Sequence, residues 1–282
     1  MLSIEEVKLL IEKLRSLKGT DFQKLVDDNL KILEEFAYSV DAYNTRQIAH
    51  IDKTRDWFQK DLEWRESHKD NILDELLNKQ IELKINQFAK MGNNLQNCLE
   101  IGPGNGRHVL LLRAWRLIFF SEVLEGCREK IFKKFPPAHQ RLLRFYTTDR
   151  TSCPDIPDNS CNFVFSWDTF PFFTQEHIAE YLRDIHRIIL PGGYGFIHYA
   201  DCDYDADLHE AKRGYWNYNT KSSMKKMLQD AGYDVIEMDQ FRPRANYVVF
   251  KKPGNANPVI YKVMEIPIPQ DYISTPDELV KK

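Results

Sequence analysis

Apolar positions in the first ninety residues recur at three- and four-residue steps. Val7, Leu10, Ile11, Leu14 and Leu17 form one stripe, behind a Ser3 and Glu6 pair with capping-box spacing. Phe22, Leu25, Val26, Leu30, Leu33 and Ala37 form a second after the Gly19-Thr20-Asp21 break, and Leu73, Leu77, Ile81, Ile85 and Phe88 a third. These spacings predict helices, each with one face to bury. From about residue 95 the pattern changes to short apolar runs at 97–101, 117–120, 143–146, 162–165, 194–199, 234–238 and 247–250. Helical spacing lies between several of them: Val109, Leu112 and Trp115; Ile178, Tyr181, Leu182, Ile185, Ile188 and Ile189; and Met224, Met227 and Leu228 before Ala231-Gly232. Pro191-Gly192-Gly193 reads as a turn that ends the second of these helices. Strands alternating with helices predict an α/β fold, a mostly parallel seven-stranded sheet with helices on both faces.

The chain therefore divides into a helical N-terminal region (1–94), an α/β domain (95–252) and a C-terminal extension rich in Pro and polar residues (253–282). The N-terminal helices could pack on the α/β domain, on each other or on a second subunit as a homodimer contact. Trp57, Trp64 and His68 lie in this region, where helix docking or a lid are both open readings.

Composition narrows the classes. With 43% apolar and 29% charged residues the chain can build a core, and the formal charge of −3 gives no sign of general disorder. No apolar run reaches the ~18 residues that span a bilayer, and the charged N-terminus MLSIEEVKLLIEK is no signal peptide. The near-neutral balance speaks for a small-molecule partner rather than a nucleic acid. Five cysteines without a CxxC spacing read as reduced thiols in a cytoplasmic protein, and no zinc site is expected.

The most informative segment is Glu100-Ile101-Gly102-Pro103-Gly104-Asn105-Gly106, directly after the first predicted strand and before helical spacing. Glycines let the backbone turn tightly and approach a ligand, and loop amides with a helix N-terminus present donors to it. The dinucleotide fingerprint G-x-G-x-x-G is not met, because its last position is Arg107. The pattern E-x-G-x-G-x-G instead resembles motif I of class I S-adenosylmethionine-dependent methyltransferases, a Rossmann-like family. The resemblance continues in order from about 95 to 252. Glu122 ends the second strand 16 residues beyond Gly106, and Asp149 ends the third. The stretch from Ile156 to Ser166 is similar to the family's run before and through strand four, and Arg187 with Leu190-Pro191-Gly192-Gly193 to its turn before strand five.

The resemblance implies S-adenosyl-L-methionine as cofactor. Glu100, Gly102, Pro103, Gly104, Asn105 and Gly106 would hold its methionine part, and Glu122 with Val123 its ribose. Asp149 and Arg150 would lie at its adenine, and Ser166 and Trp167 beside it at the end of strand four. A carboxylate accepts from both hydroxyls of a vicinal diol, which suits Glu122.

Methyl transfer to a hydroxyl calls for a base more than transfer to a thiolate or amine does. Ligands of open α/β sheets bind at the carboxyl ends of the strands, so the candidates are His198 first, then Asp201 and Asp168. The place where small-molecule relatives carry a histidine after strand four here reads Phe170-Pro171-Phe172-Phe173, either core or pocket wall. Asp201, Asp203, Asp205, Asp207 and His209 read as a solvated acidic loop rather than a metal site. Trp216-Asn217-Tyr218-Asn219, before the last helix, offers aromatic and amide groups suited to a polar ring. The expected function is methylation of a small polar acceptor, a hydroxyl and sugar-like. The alternatives are an RNA or protein methyltransferase, though no Asn-Pro-Pro-Tyr-type motif follows strand four, and a non-catalytic cofactor-binding interaction protein.

Overall fold

The computed structural model of the chain describes residues 9, 11–13, 72–91, 97–123, 126–148 and 152–255. The first two helical stripes lie almost wholly outside the described residues, as do Trp57, Trp64, His68, Asp149, Arg150 and the tail beyond 255. Of the first stripe Ile11 is described, and it is buried.

Seven strands form one sheet. They are β1 (Asn97–Ile101), β2 (Leu117–Glu122), β3 (Leu143–Thr147), β4 (Cys161–Ser166), β5 (Ile189–His198), β6 (Asp234–Gln240) and β7 (Asn246–Lys251). Their spatial order is β3-β2-β1-β4-β5-β7-β6. The first five run parallel, and β7 enters antiparallel between β5 and β6. The described helices are α1 (Ile72–Met91), α2 (Cys127–Lys134), α3 (Pro137–Gln140), α4 (Gln175–Ile188), α5 (Asp205–Lys212) and α6 (Lys221–Asp230).

Side chains alternate across the sheet and build two apolar layers. On one face, Leu99, Ile101, Phe119, Val164, Ile197 and Val248 pack with Ile178, Leu182 and Ile185 of α4 and Met224 and Leu228 of α6. On the other, Cys98, Ile118, Phe120, Phe163, Phe165, Phe196 and Val249 pack under α1. The third helical stripe of the sequence is the buried face of α1: Leu77, Ile81, Ile85 and Phe88 are all buried. Phe88 stacks on Phe163 at 5.1 Å, and Lys84 pairs with Glu237 of β6 at 2.5 Å. Although it lies within the helical N-terminal region, α1 thus shares the core of the α/β domain.

The second face also carries the residues that matter most. Glu100 follows Cys98 on β1, Glu122 follows Phe120 on β2 and His198 follows Phe196 on β5, each two residues along and so on the same side. All three stand at the carboxyl ends of their strands.

Three expectations are corrected. The helix expected through Val109, Leu112 and Trp115 is only a 3-10 turn, Val109–Leu112. The glycine loop accordingly has no α-helix N-terminus behind it. Pro191-Gly192-Gly193 does not separate helix from strand either, because β5 already begins at Ile189. The triplet forms a bulge: Ile189 pairs with Cys161, and the next paired residue is Tyr194, opposite Phe163. Gly193 faces the Asn162 carbonyl, which a Cβ would approach to 2.8 Å. The acidic loop, finally, is partly the helix α5, in which Asp207 turns inward and is fully buried.

Helix α6 starts at a complete capping box. The Thr220 hydroxyl accepts from Ser223 N–H at 3.1 Å, and Ser223 Oγ accepts from Thr220 N–H at 2.9 Å. Thr220→Ala is expected to lower stability by about 1 kcal/mol. The measurement is a urea midpoint at constant slope, and an unchanged midpoint would show that the cap contributes nothing.

Candidate cofactor and active site

The site is built on the glycine loop. Gly102, Gly104 and Gly106 all adopt left-handed backbone, with φ of 67°, 52° and 76°, a conformation that only glycine takes routinely. Gly102 N–H donates to Ser121 C=O, and Gly106 N–H donates to Pro103 C=O, both at 2.9 Å. The loop is also clamped from β4. Ser166 Oγ donates to Ile101 C=O at 2.8 Å, and Thr169 Oγ1 donates to Gly102 C=O at 3.2 Å. Thr169 is a member of the site that the sequence does not reveal; a β-carbon on Gly102 would lie 2.2 Å from its hydroxyl.

Glu122 holds the loop from the other side. One carboxylate oxygen accepts from Gly104 N–H at 2.8 Å and the other from Val123 N–H at 2.7 Å. These two backbone donors fix both carboxylate oxygens at the loop. Glu100 is buried to 2% exposure, and its Oε2 has no hydrogen-bonding partner. Burial, with the nearby charge of Glu122, pushes its carboxyl up to about 8. Asn105 is buried as well, with an unpartnered Nδ2.

Buried polar groups without partners are uncommon in folded chains. Two of them beside one left-handed glycine loop mark a place where a polar ligand completes the bonding. An acceptor or proton-bearing carboxyl, an amide donor, a glycine-lined approach and a diol-competent carboxylate suit an amino acid joined to a ribose. The residues present fit the expected cofactor.

The three catalytic candidates part company. His198 is 1% exposed and uses both ring nitrogens. Nε2 lies 3.1 Å from Arg244 C=O, so it carries the hydrogen, and Nδ1 lies 3.1 Å from both N and Oδ1 of Asp168. Both nitrogens are thus engaged within the protein, and the ring acts as a post between Asp168 and residue 244. It is stacked on Trp167 at 4.7 Å. Asp201 is buried and bonds to backbone, accepting from Lys221 N–H at the start of α6 at 2.9 Å and from Asp203 N–H at 3.3 Å; burial raises its carboxyl above the usual range.

Asp168 stands differently. Its backbone is left-handed at φ 58°, and its carboxylate is 31% exposed between Arg107 at 3.6 Å and His198 at 3.1 Å. Non-glycine residues in that conformation are costly and cluster at functional positions. Among the described residues, no three His, Cys, Asp or Glu side chains are placed to share a metal ion. Phe170 is core, packed on Phe173 and Tyr181 rather than lining a pocket. Sequence spacing gave no signal for Arg107, Thr169 or Arg244, whose roles arise only from contacts across the fold.

Comparison with known proteins agrees with this geometry. Magnesium protoporphyrin IX methyltransferase from Synechocystis PCC 6803, solved with bound SAH, superposes with a TM-score of 0.55 at 16% identity, over 71% of this chain and 99% of that one. A protein designated an S-adenosyl-L-methionine-dependent methyltransferase from Methanococcus maripaludis superposes with a TM-score of 0.52 at 18% identity, over 72% and 95%. At these identities the likeness is one of fold. A search of curated proteins finds no match. A family profile described as a methyltransferase domain matches residues 73–238, more than half of the chain and the whole glycine-loop region. The chain belongs to that family: it is a class I methyltransferase that uses S-adenosyl-L-methionine.

Proposed function

We propose that this methyltransferase acts on a hydroxyl group of a small polar acceptor, with Asp168 taking the proton. The observation that supports this most is the placement of the Asp168 carboxylate at the carboxyl end of β4. It is partly exposed, held in a left-handed backbone, and set between His198 and Arg107. Ligands of open α/β sheets meet the protein at this edge.

The bound cofactor supplies an electrophilic methyl group on a sulfonium sulfur. Glu100 and the loop at 102–106, including Pro103 and Asn105, would hold its amino acid part. Glu122 and Val123 would hold the ribose, and Asp149 and Arg150 the adenine. Ser166 and Trp167 would close the site from β4. Asp168 would orient the acceptor oxygen and receive its proton as the carbon–sulfur bond breaks and the carbon–oxygen bond forms. His198 would act as a positioning residue behind it. Arg107, 3.6 Å away, sets a positive charge beside that carboxylate.

Asp168→Asn keeps the shape and removes the base. It is expected to lower kcat about 100-fold, within the usual range for a positioned base, while S-adenosylmethionine binding by calorimetry stays unchanged. The assay transfers labelled methyl from the cofactor to a small-molecule cell extract, followed by mass identification of the product. A product methylated on nitrogen or sulfur, or label confined to macromolecules, would refute the reading, as would full activity in Asp168→Asn.

A further inference from the structure

The charges of the chain are unevenly spread. Residues 107–144 hold nine Lys and Arg against three Asp and Glu, in a chain with 39 against 42 overall. One of the three acids, Glu122, is turned to the glycine loop. This basic stretch contains the 3-10 turn 109–112, α2 and α3. Its buried side chains Val109, Leu112, Cys127 and Ile131 pack in the same apolar layer as the inner face of α1. Packing also brings its cations together. A β-carbon on Gly106 would lie 2.9 Å from Ile131 Cγ1 and 3.3 Å from Lys134 Cδ, so α2 runs alongside the start of the turn. Gln140 Nε2 donates to Phe132 C=O at 3.1 Å and to Phe135 C=O at 3.0 Å, which holds Arg141 near the lysine-bearing end of α2. Lys130 and Lys134 stand one turn apart, a spacing at which like charges repel. Among the described residues no carboxylate pairs with Lys130, Lys133 or Arg141.

The same layer exposes apolar side chains. Leu110 of the 3-10 turn is 39% exposed, and Leu76 and Leu83, two turns apart on the outer side of α1, are 58% and 57% exposed. On the opposite layer neither α4 nor α6 exposes a large apolar residue. Outward leucines bordered by cations suit the surface of an anionic bilayer. Lys and Arg are drawn to its phosphates on long apolar stems, and the leucines enter the headgroup region. Single-stranded RNA, another polyanion, is gripped by stacking its bases on exposed rings. The exposed Phe, Tyr and Trp side chains among the described residues are Tyr204 and Tyr215, which flank α5 and lie outside this layer.

We propose that the outer surface formed by α1, the 3-10 turn and α2 with α3 docks on a bilayer containing anionic phospholipid. Lys130, Lys133 and Arg141 supply the attraction, and Leu76, Leu83 and Leu110 the apolar footing. The contact is peripheral: among the described residues no helix is long and apolar enough to cross a membrane. None of these six residues belongs to the cofactor site or to the surroundings of Asp168, so the proposal stands or falls apart from the acceptor reading above.

The test is co-flotation of the full chain with vesicles of phosphatidylcholine, alone or mixed with phosphatidylglycerol. Binding is expected to the mixed vesicles only, and to fall steeply as salt is raised. Lys130→Ala, Lys133→Ala and Arg141→Ala combined are expected to weaken it about 100-fold, roughly fivefold for each cation lost. Leu76→Ser, Leu83→Ser and Leu110→Ser combined are expected to weaken it about tenfold or more, at low and high salt alike. Both variants are expected to keep the parental urea midpoint and the parental Kd for S-adenosylmethionine, which separates a lost surface from a lost fold. If either midpoint shifts, Lys133→Glu on its exposed side chain takes that variant's place, with an expected loss of about fivefold or more. No binding to mixed vesicles, equal binding to neutral ones, or parental binding by the variants overturns the proposal. Tighter binding to an RNA oligonucleotide than to vesicles at the same salt overturns it too, as does a dimer in solution that the leucine variant turns into a monomer.

Discussion

Gly102→Ala is expected to abolish cofactor binding and to lower folding stability by about 2–5 kcal/mol. Two separate effects add. The backbone at Gly102 has φ of 67°, which costs an L-residue about 1–2 kcal/mol. The new methyl would lie 2.2 Å from Thr169 Oγ1 and 2.6 Å from Thr169 Cγ2. Thr169 cannot swing aside without breaking its hydrogen bonds to the carbonyls of Ile101 and Gly102, so the loop and the β4 end must separate. The double variant Gly102→Ala with Thr169→Gly removes the collision and leaves the backbone strain. It is expected to regain part of the stability and little of the binding. Urea denaturation and calorimetry with S-adenosylmethionine read both effects. A single variant with native midpoint and native affinity would show that the loop does not approach the cofactor as closely as the geometry requires.

The second large effect concerns Glu100 and is read along the pH axis. Its carboxyl ordinarily titrates at 4.5 and is pushed up to about 8 in the folded chain, chiefly by burial and further by Glu122. Between those values the native chain keeps a proton that the unfolded chain has lost. Stability is therefore greatest below about pH 4.5 as far as this group is concerned. It falls as pH rises through the window, by up to about 1.4 kcal/mol per unit, and levels off above about 8. Glu100→Gln mimics the protonated form. It is expected to match the parent near pH 4.5 and to exceed it by several kcal/mol at pH 9.

Binding runs the other way. A cationic amino group brought beside Glu100 favours the ionised carboxylate, so binding at pH 6–7 is expected to release a proton and to tighten toward pH 7.5. The glutamine variant loses both the release and the tightening, and binds more weakly. Calorimetry in buffers of different ionisation enthalpy counts the proton. If the parent and the variant share one pH profile of stability, Glu100 is not the protonated group described.

Much of the fold and of the cofactor half of the site was legible because its signals are local. Short apolar runs ending at Glu100, Glu122 and Ser166 are strands whether or not their neighbours are known. Three glycines at alternate positions permit a left-handed loop that other residues would resist. The parts that were misread depend mostly on partners far along the chain. Val109, Leu112 and Trp115 have helical spacing, but Val109–Leu112 closes only a 3-10 turn. Pro191-Gly192-Gly193 has the composition of a turn, yet two backbone hydrogen bonds with Lys252, just past β7, hold it inside β5 as a bulge. His198 looked like a base because it stands at the end of β5. Its ring nitrogens are taken by Asp168, 30 residues upstream, and Arg244, 46 residues downstream. Asp207 looked like one of a row of solvated aspartates. Its carboxylate instead accepts from Asn246 and from Asp201 N–H in the interior, a pairing that no spacing rule anticipates.

The antiparallel insertion of β7 between β5 and β6 has a consequence for how the chain is made. β5 is finished at residue 198, but the strand that closes its free side ends only at residue 251. During synthesis, at about 5–20 residues per second, the growing polypeptide carries an open, largely apolar sheet edge for several seconds. Such edges recruit other strands. β6 cannot cover it, because β6 pairs with β7 alone. The central sheet therefore closes on this side only with its last-made strand. Premature termination between residues 199 and 245 yields a product in which β5 lacks its antiparallel neighbour and leaves that side of the sheet adhesive.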